Sequence, residues 1–220
     1  MMLKQNCFDL VRWRANMPAM RFLAYCRLVL PILLIFLGPA LQPAAAADTR
    51  IVEKPEPGAS PKQHLDDLFT ALKRERDADQ AAAIANQIKL AWAQSGSATV
   101  DLLMQWADQA VADKRNPAAF DFLDQIIALK PDYAEGWNRR ATLNYALGDY
   151  RKSMADIEQV LRLEPRHFGA LAGMAAILGE NGKDQQTLEV WQRFLTIYPA
   201  SRAAQQQVDA LTEKLAGSRT

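Results

Sequence analysis

The sequence predicts an all-α protein: a solenoid of helix-turn-helix units finished by a C-terminal capping helix. Three observations predict it. Pro131, Pro165 and Pro199 are spaced 34 residues apart, twice over, and that interval is one two-helix unit. Residue size recurs in the same register, as in Leu123, Ile157 and Trp191, then Ile126, Val160 and Phe194, then Ile127, Leu161 and Leu195. Small residues form columns of their own, Ala107, Ala141 and Ala175, and Ala119, Ser153 and Thr187. The turn signals repeat too. Gly148 and Gly182 align, because glycine takes the left-handed conformation that ends a helix at little cost. The prolines end the second helix of each unit, since proline lacks the N–H that would continue it.

The elements follow in chain order. Residues 1–47 read as a secretory signal: Lys4, Arg12, Arg14, Arg21 and Arg27 face one acid, Asp9, and precede the apolar run Leu28–Leu41 and the small residues Ala44–Ala47. The apolar run is shorter than the roughly 20 residues needed to span a bilayer. Met17 and Met20 are alternative starts. Cys26 precedes the apolar run, so it is not placed as a lipobox cysteine. The expected location is the periplasm; an uncleaved leader would instead anchor the chain in the inner membrane, and N-terminal sequencing of the exported product decides between them.

Residues 48–61, with Pro55, Pro57, Gly58 and Pro61, read as a flexible tether. Residues 62–99 read as a degenerate first hairpin, with Leu65, Leu68, Phe69 and Leu72 on one helix and Ile84, Ile88, Leu90 and Trp92 on the other. Three repeats follow at 100–133, 134–167 and 168–199. In the first, Asn116 and Pro117 are expected as N-cap and first helical residue of the second helix. Residues 200–220 read as a capping helix and tail. Val208, Leu211 and Leu215 face the last repeat, and glutamines and charges face out.

Composition limits the chemistry. The 220 residues carry a net charge of +1, and removal of residues 1–47 leaves 21 basic and 24 acidic residues, a net −3. That balance argues against nonspecific nucleic-acid binding and against an anionic membrane surface after signal cleavage. Both cysteines, Cys7 and Cys26, lie in the leader, and the two histidines, His64 and His167, are far apart in sequence. No zinc spacing and no nucleophile elbow is present. Gly182-Lys183 lacks the first glycine and the Ser/Thr of a phosphate loop. No cofactor, metal or enzymatic activity is expected. Trp92, Trp106, Trp137 and Trp191 recur at helical core positions.

The stretch Ala134–His167 resembles the tetratricopeptide repeat. Trp137, Ala141, Gly148-Asp149-Tyr150, Ser153, Ile157, Val160 and Pro165 stand where that motif has its signature residues. Arg140 replaces the usual leucine and Asn144 the usual aromatic. The neighbouring units keep Leu103, Ala107, Ala119, Leu123, Ile126 and Pro131, and Leu171, Ala175, Gly182, Trp191, Phe194 and Pro199. The resemblance covers roughly residues 62 to 216. Two segments, Trp137–Ala141 and Pro165–Gly169, resemble exported bacterial repeat proteins in particular.

The resemblance implies a right-handed superhelix whose first helices line a concave groove for a peptide or partner protein. The groove residues it points to are Met104, Asp108, Asn138, Arg139, Thr142, Tyr145, Gly173 and Ala176. In relatives that hold chaperone tails, a lysine/asparagine carboxylate clamp sits on this stripe. Here Met104, Asp108, Arg139, Gly169 and Gly173 stand there, and only Arg139 is a cation. Gly169, Gly173 and Gly179 serve either close approach of a bound segment or helix packing within the chain. A polar node of Asn138, Arg140, Asn144 and His167 is either a ligand site or a structural tie between repeats, with Arg140 directed at the next unit. Self-association as an envelope scaffold is the competing expectation to partner binding.

Overall fold

The structure, a computed structural model, describes residues 60–217; the leader and nearly all of the tether lie outside them. Among the described residues there are nine helices and no strand. They are α1 (Pro61–Arg74), α2 (Ala78–Ala93), α3 (Ala98–Ala112), α4 (Asn116–Leu129), α5 (Ala134–Ala146), α6 (Tyr150–Leu163), α7 (Phe168–Glu180), α8 (Asp184–Ile197) and α9 (Arg202–Gly217). None is long and apolar enough to cross a membrane. Pro61 is the first residue of α1 rather than the last of the tether, and the Ser60 hydroxyl caps it by accepting from the Gln63 N–H.

The three repeats are α3–α4, α5–α6 and α7–α8, and each A–B turn is three residues long. Gly148 and Gly182 take φ of +78° and +68° in these turns, and Lys114 takes +58° at the same place in the first. Asp149 caps α6 through the Lys152 N–H. The start of α4 differs from expectation by one residue: Arg115 holds the cap position, with no side-chain hydrogen bond, and Asn116 is already helical.

The repeating columns form the interior. Ala107, Ala141 and Ala175 are all buried, as are Ala119, Ser153 and Thr187, which lets the paired helices approach closely. Ile126, Val160 and Phe194 are buried in successive units, as are Leu123 and Ile157; Trp191 is half-buried at the next equivalent place. Trp106 departs from its core expectation. It is 48% exposed, because among the described residues no hairpin stacks on the outer side of α3.

The first hairpin is where sequence and structure part. α1 and α2 pair with each other, but they pack against α8 and α5 rather than adding a unit in front of α3. Leu68, Phe69, Leu72, Ala81, Ala85 and Ile88 share one apolar cluster with Phe168, Leu171, Phe194 and Ala204. The cluster of α3 and α4 holds no residue of α1 or α2. The physical reason lies in the stripes of α2. Its apolar residues Ile84, Ile88 and Trp92 share a face, while Gln87 stands as far from the helix end as Leu123 and Ile157 do in α4 and α6. Gln87 therefore puts a polar side chain where the stacked units bury an apolar one. The hairpin turn also differs: Glu75 is extended, and its carboxylate accepts from the N–H groups of Arg76 and Asp77.

Candidate functional site

A groove of about 130 Å³ runs between α5 and α7. Asn138, Thr142 and Tyr145 line one wall, Gly169 and Gly173 the other, and Ala141, Ser153, Ile157 and Ala170 the floor. Helical spacing puts Asn138, Thr142 and Tyr145 on one face of α5. The floor is narrow because its small residues let helices close in. Ser153 is buried and donates its hydroxyl to the Ala141 carbonyl at 2.8 Å.

Four of the expected groove residues therefore meet in one place: Asn138, Thr142, Tyr145 and Gly173. Ala176 lies one turn beyond Gly173, half-buried and outside the lining. Met104 is a correction. It is 8% exposed and packs with Val100, Leu103 and Ala107 in the core of the first repeat, because it falls on the buried stripe of α3. Asp108 and Arg139 are exposed and paired at 3.5 Å, and the Arg139 Nε also meets Glu135 Oε1 at 3.2 Å. Two acids thus hold the cation that the sequence singled out.

Gly169 and Gly173 of α7 have close neighbours within the chain, and Gly179 does not. A Cβ on Gly173 would lie 3.3 Å from Ile157 Cδ1, and one on Gly169 3.2 Å from His167 Cε1. Both places are tight: a Cβ there needs its neighbour to give by a few tenths of an ångström. A Cβ on Gly179 would make only ordinary contact, 3.7 Å from Thr187 Cγ2.

The expected polar node divides in two. On one side Arg140 grips Asp156 with two donors, Nε at 3.0 Å and Nη2 at 2.6 Å, and reaches Asp124 through Nη1 at 2.6 Å. Asn144 adds its amide to Asp156 at 3.1 Å. The acceptors lie on α6 of the same unit and on α4 of the preceding one, so Arg140 points backward along the array, not toward the next unit. Its hydrogen bonds to Asp156 hold the guanidinium pKa above the ordinary value. Trp137 lies under the guanidinium at 5.0 Å. A cleft of about 440 Å³ beside this cluster is lined by Phe120, Asp124, Arg140, Asn144, Lys152 and Asp156.

On the other side His167 is 2% exposed. Its Nδ1 accepts from the Ala170 N–H at 3.0 Å, capping α7. The proton therefore sits on Nε2, 3.3 Å from Glu135 Oε2. Asn138 donates to that same oxygen at 3.1 Å. The string Asp108–Arg139–Glu135–His167 thus ties α3, α5 and the start of α7 along the groove.

The N-terminal hairpin abuts this string, which nothing in the sequence signalled. Trp92 stacks on the His167 ring, with centroids 4.1 Å apart and planes 12° from parallel. Arg166 bonds Asp66 at 2.7 Å and lies over the Phe69 ring at 4.1 Å. The Tyr133 hydroxyl donates to the Ala93 carbonyl at 2.9 Å. Burial of that phenol pushes its pKa above the ordinary value. At the other end of the groove, the Tyr145 hydroxyl donates to Glu180 Oε1 at 2.5 Å. That hydrogen bond, with a second from Tyr150, lowers the Glu180 pKa. Among the described residues no group of His, Cys, Asp and Glu is placed to hold a metal ion.

No family model matches the chain. A TPR repeat-containing protein of Rhizobium etli is 62% identical over 204 residues, spanning 93% of this chain and all of that one. The small glutamine-rich tetratricopeptide repeat-containing protein 2 of Saccharomyces cerevisiae is 25% identical over 138 residues, 61% of this chain and 40% of the yeast protein. Among solved structures, the Sgt2 TPR domain from Aspergillus fumigatus superposes with a TM-score of 0.50 at 18% identity, covering 56% of this chain and 83% of that one.

Proposed function

The chain belongs to the tetratricopeptide repeat proteins, and from that premise we propose that it is an interaction module that seats a peptide or partner segment in the groove between α5 and α7. The observation that carries this reading is the groove itself. Its floor of Ala141, Ser153, Ile157 and Ala170 is tightly packed, and its walls carry the Asn138 amide, the Thr142 hydroxyl and the Tyr145 phenol, each already donating a hydrogen bond within the chain. Such a surface is preorganised, so most of the ordering cost of binding falls on the incoming segment.

Charge narrows the occupant. Arg139 is engaged by Asp108 and Glu135, so the groove does not present it to a carboxylate in the manner of a tail clamp. The site suits a neutral segment that presses one apolar side chain onto the floor and hydrogen-bonds along the rim. Peptides selected from a random display library on the wild-type protein test this. Thr142→Trp puts a large ring in the groove from an exposed helical position. Selected peptides should lose at least about tenfold in affinity, equivalent to about 1.4 kcal/mol, with unfolding midpoint unchanged. Peptides indifferent to Thr142→Trp would place binding elsewhere.

A further inference from the structure

Among the described residues, no hairpin stacks on the front end of the repeat array. Leu102, Trp106 and Phe122 occupy the positions of Gly136, Arg140 and Asp156 in the second unit and of Ala170, Met174 and Val190 in the third. In the later units such positions meet the preceding hairpin. A Cβ on Gly136 would lie 2.8 Å from Ile126 Cγ2, Arg140 bonds Asp124, and Ala170 packs with Ile157 and Val160. In the first unit Leu102 is 43% exposed, and the exposed Trp106 ring lies 5.7 Å from that of Phe122.

The first hairpin carries a matching uncovered residue. Counted back from the end of its helix, Leu90 stands where Ile126 and Val160 stand. Those two are fully buried, whereas Leu90 is 66% exposed. The link Gln94–Ser97 has the same length as Lys130–Tyr133 and Glu164–His167, which join stacked hairpins. Its Gly96 has φ of +74° in open space. The observed seat is imperfect as well, since Trp92 Nε1 is buried there without an acceptor, which is unfavourable.

We propose that the α3–α4 end face is a docking surface for the chain's own α1–α2 hairpin, which exchanges between its observed seat and a stacked seat burying Leu90 against Leu102 and Trp106. Gln87, in the place of Leu123 and Ile157, makes the stacked seat the weaker one, so it is the minor state. Movement there takes Trp92 off His167 and Asp66 off Arg166, and it uncovers the end of the groove where α7 begins. That consequence rests on the groove reading above; the docking itself does not.

Disulfide trapping tests the docking with no partner present, so its failure is separable from failure of the groove. The full chain carries Cys7→Ser and Cys26→Ser together with Leu90→Cys and Leu102→Cys. The equivalent Ile126 and Gly136 are close enough for a disulfide between stacked hairpins. Slow oxidation should accumulate an intrachain bond with helicity retained. Arg166→Ala, which removes the ion pair with Asp66 and the stack on Phe69, should speed closure about threefold, the worth of a modest exposed ion pair. Absence of the intrachain bond after prolonged oxidation overturns the proposal. So does a bond that forms only between chains, which would make a second copy the occupant. Closure accompanied by loss of the hairpin's helical signal overturns it too, since the hairpin would then be melting rather than redocking.

Discussion

Lys114 holds a φ of +58° at the place where the next two repeats have Gly148 and Gly182. A side chain in the left-handed region costs roughly 1–2 kcal/mol, and glycine returns part of that through its larger unfolded-state freedom. Lys114→Gly should therefore raise stability by about 1 kcal/mol in urea unfolding; a loss would show that the turn tolerates lysine without strain. Arg140 presents the opposite case. It is the main partner of Asp156, which is 4% exposed and also accepts from Asn144. Arg140→Ala leaves a buried carboxylate without its cation and should cost about 3–5 kcal/mol by the same measurement. A cost below about 1 kcal/mol would mean the pair only replaces solvation. The sequence marked Arg140 as a departure from the repeat pattern. It did not show that the acceptors of Arg140 lie behind it, on α6 and α4.

At the scale of elements, α5 and α7 are coupled at both ends of the groove. His167 caps α7 and touches Glu135 of α5, and Tyr145 of α5 reaches Glu180 of α7. The second contact has a pH signature. The Tyr145 hydrogen bond lowers the Glu180 pKa in the folded chain, so its stabilising contribution is fully present above the unfolded pKa and is lost as pH falls through the folded one. Tyr145→Phe should raise the Glu180 pKa toward the ordinary carboxylate range in a carboxyl NMR titration. The stability difference between wild type and variant should shrink toward zero in acid. An unchanged Glu180 titration would show that Tyr150 alone sets it. The carboxylate is exposed, so the effect is small and salt-sensitive. The groove was partly legible because helical spacing identifies which residues of α5 share a face. It failed at Met104, where the register alone could not separate the groove stripe from the adjacent core stripe of α3.

For residues 60–217 taken together, the sequence by itself determined the helices, the 34-residue unit and the interior columns, as well as the cap that α9 forms after Ser201. These follow from local periodicity, turn residues and proline positions, all written within a few turns of chain. Only the tertiary structure decided where the first hairpin docks, which acids neutralise Arg139 and Arg140, and what fills the space beside Gly169 and Gly173. The physical reason is range. A four-residue link permits the hairpin to stack on α3–α4 or to fold onto α5, α7 and α8. The choice depends on whether the stripe of Ile84, Ile88 and Trp92 or that of Gln87 and Leu90 finds the better apolar partner. That comparison involves Phe168, Leu171 and Phe194, more than 70 residues away in sequence, and no local pattern carries it.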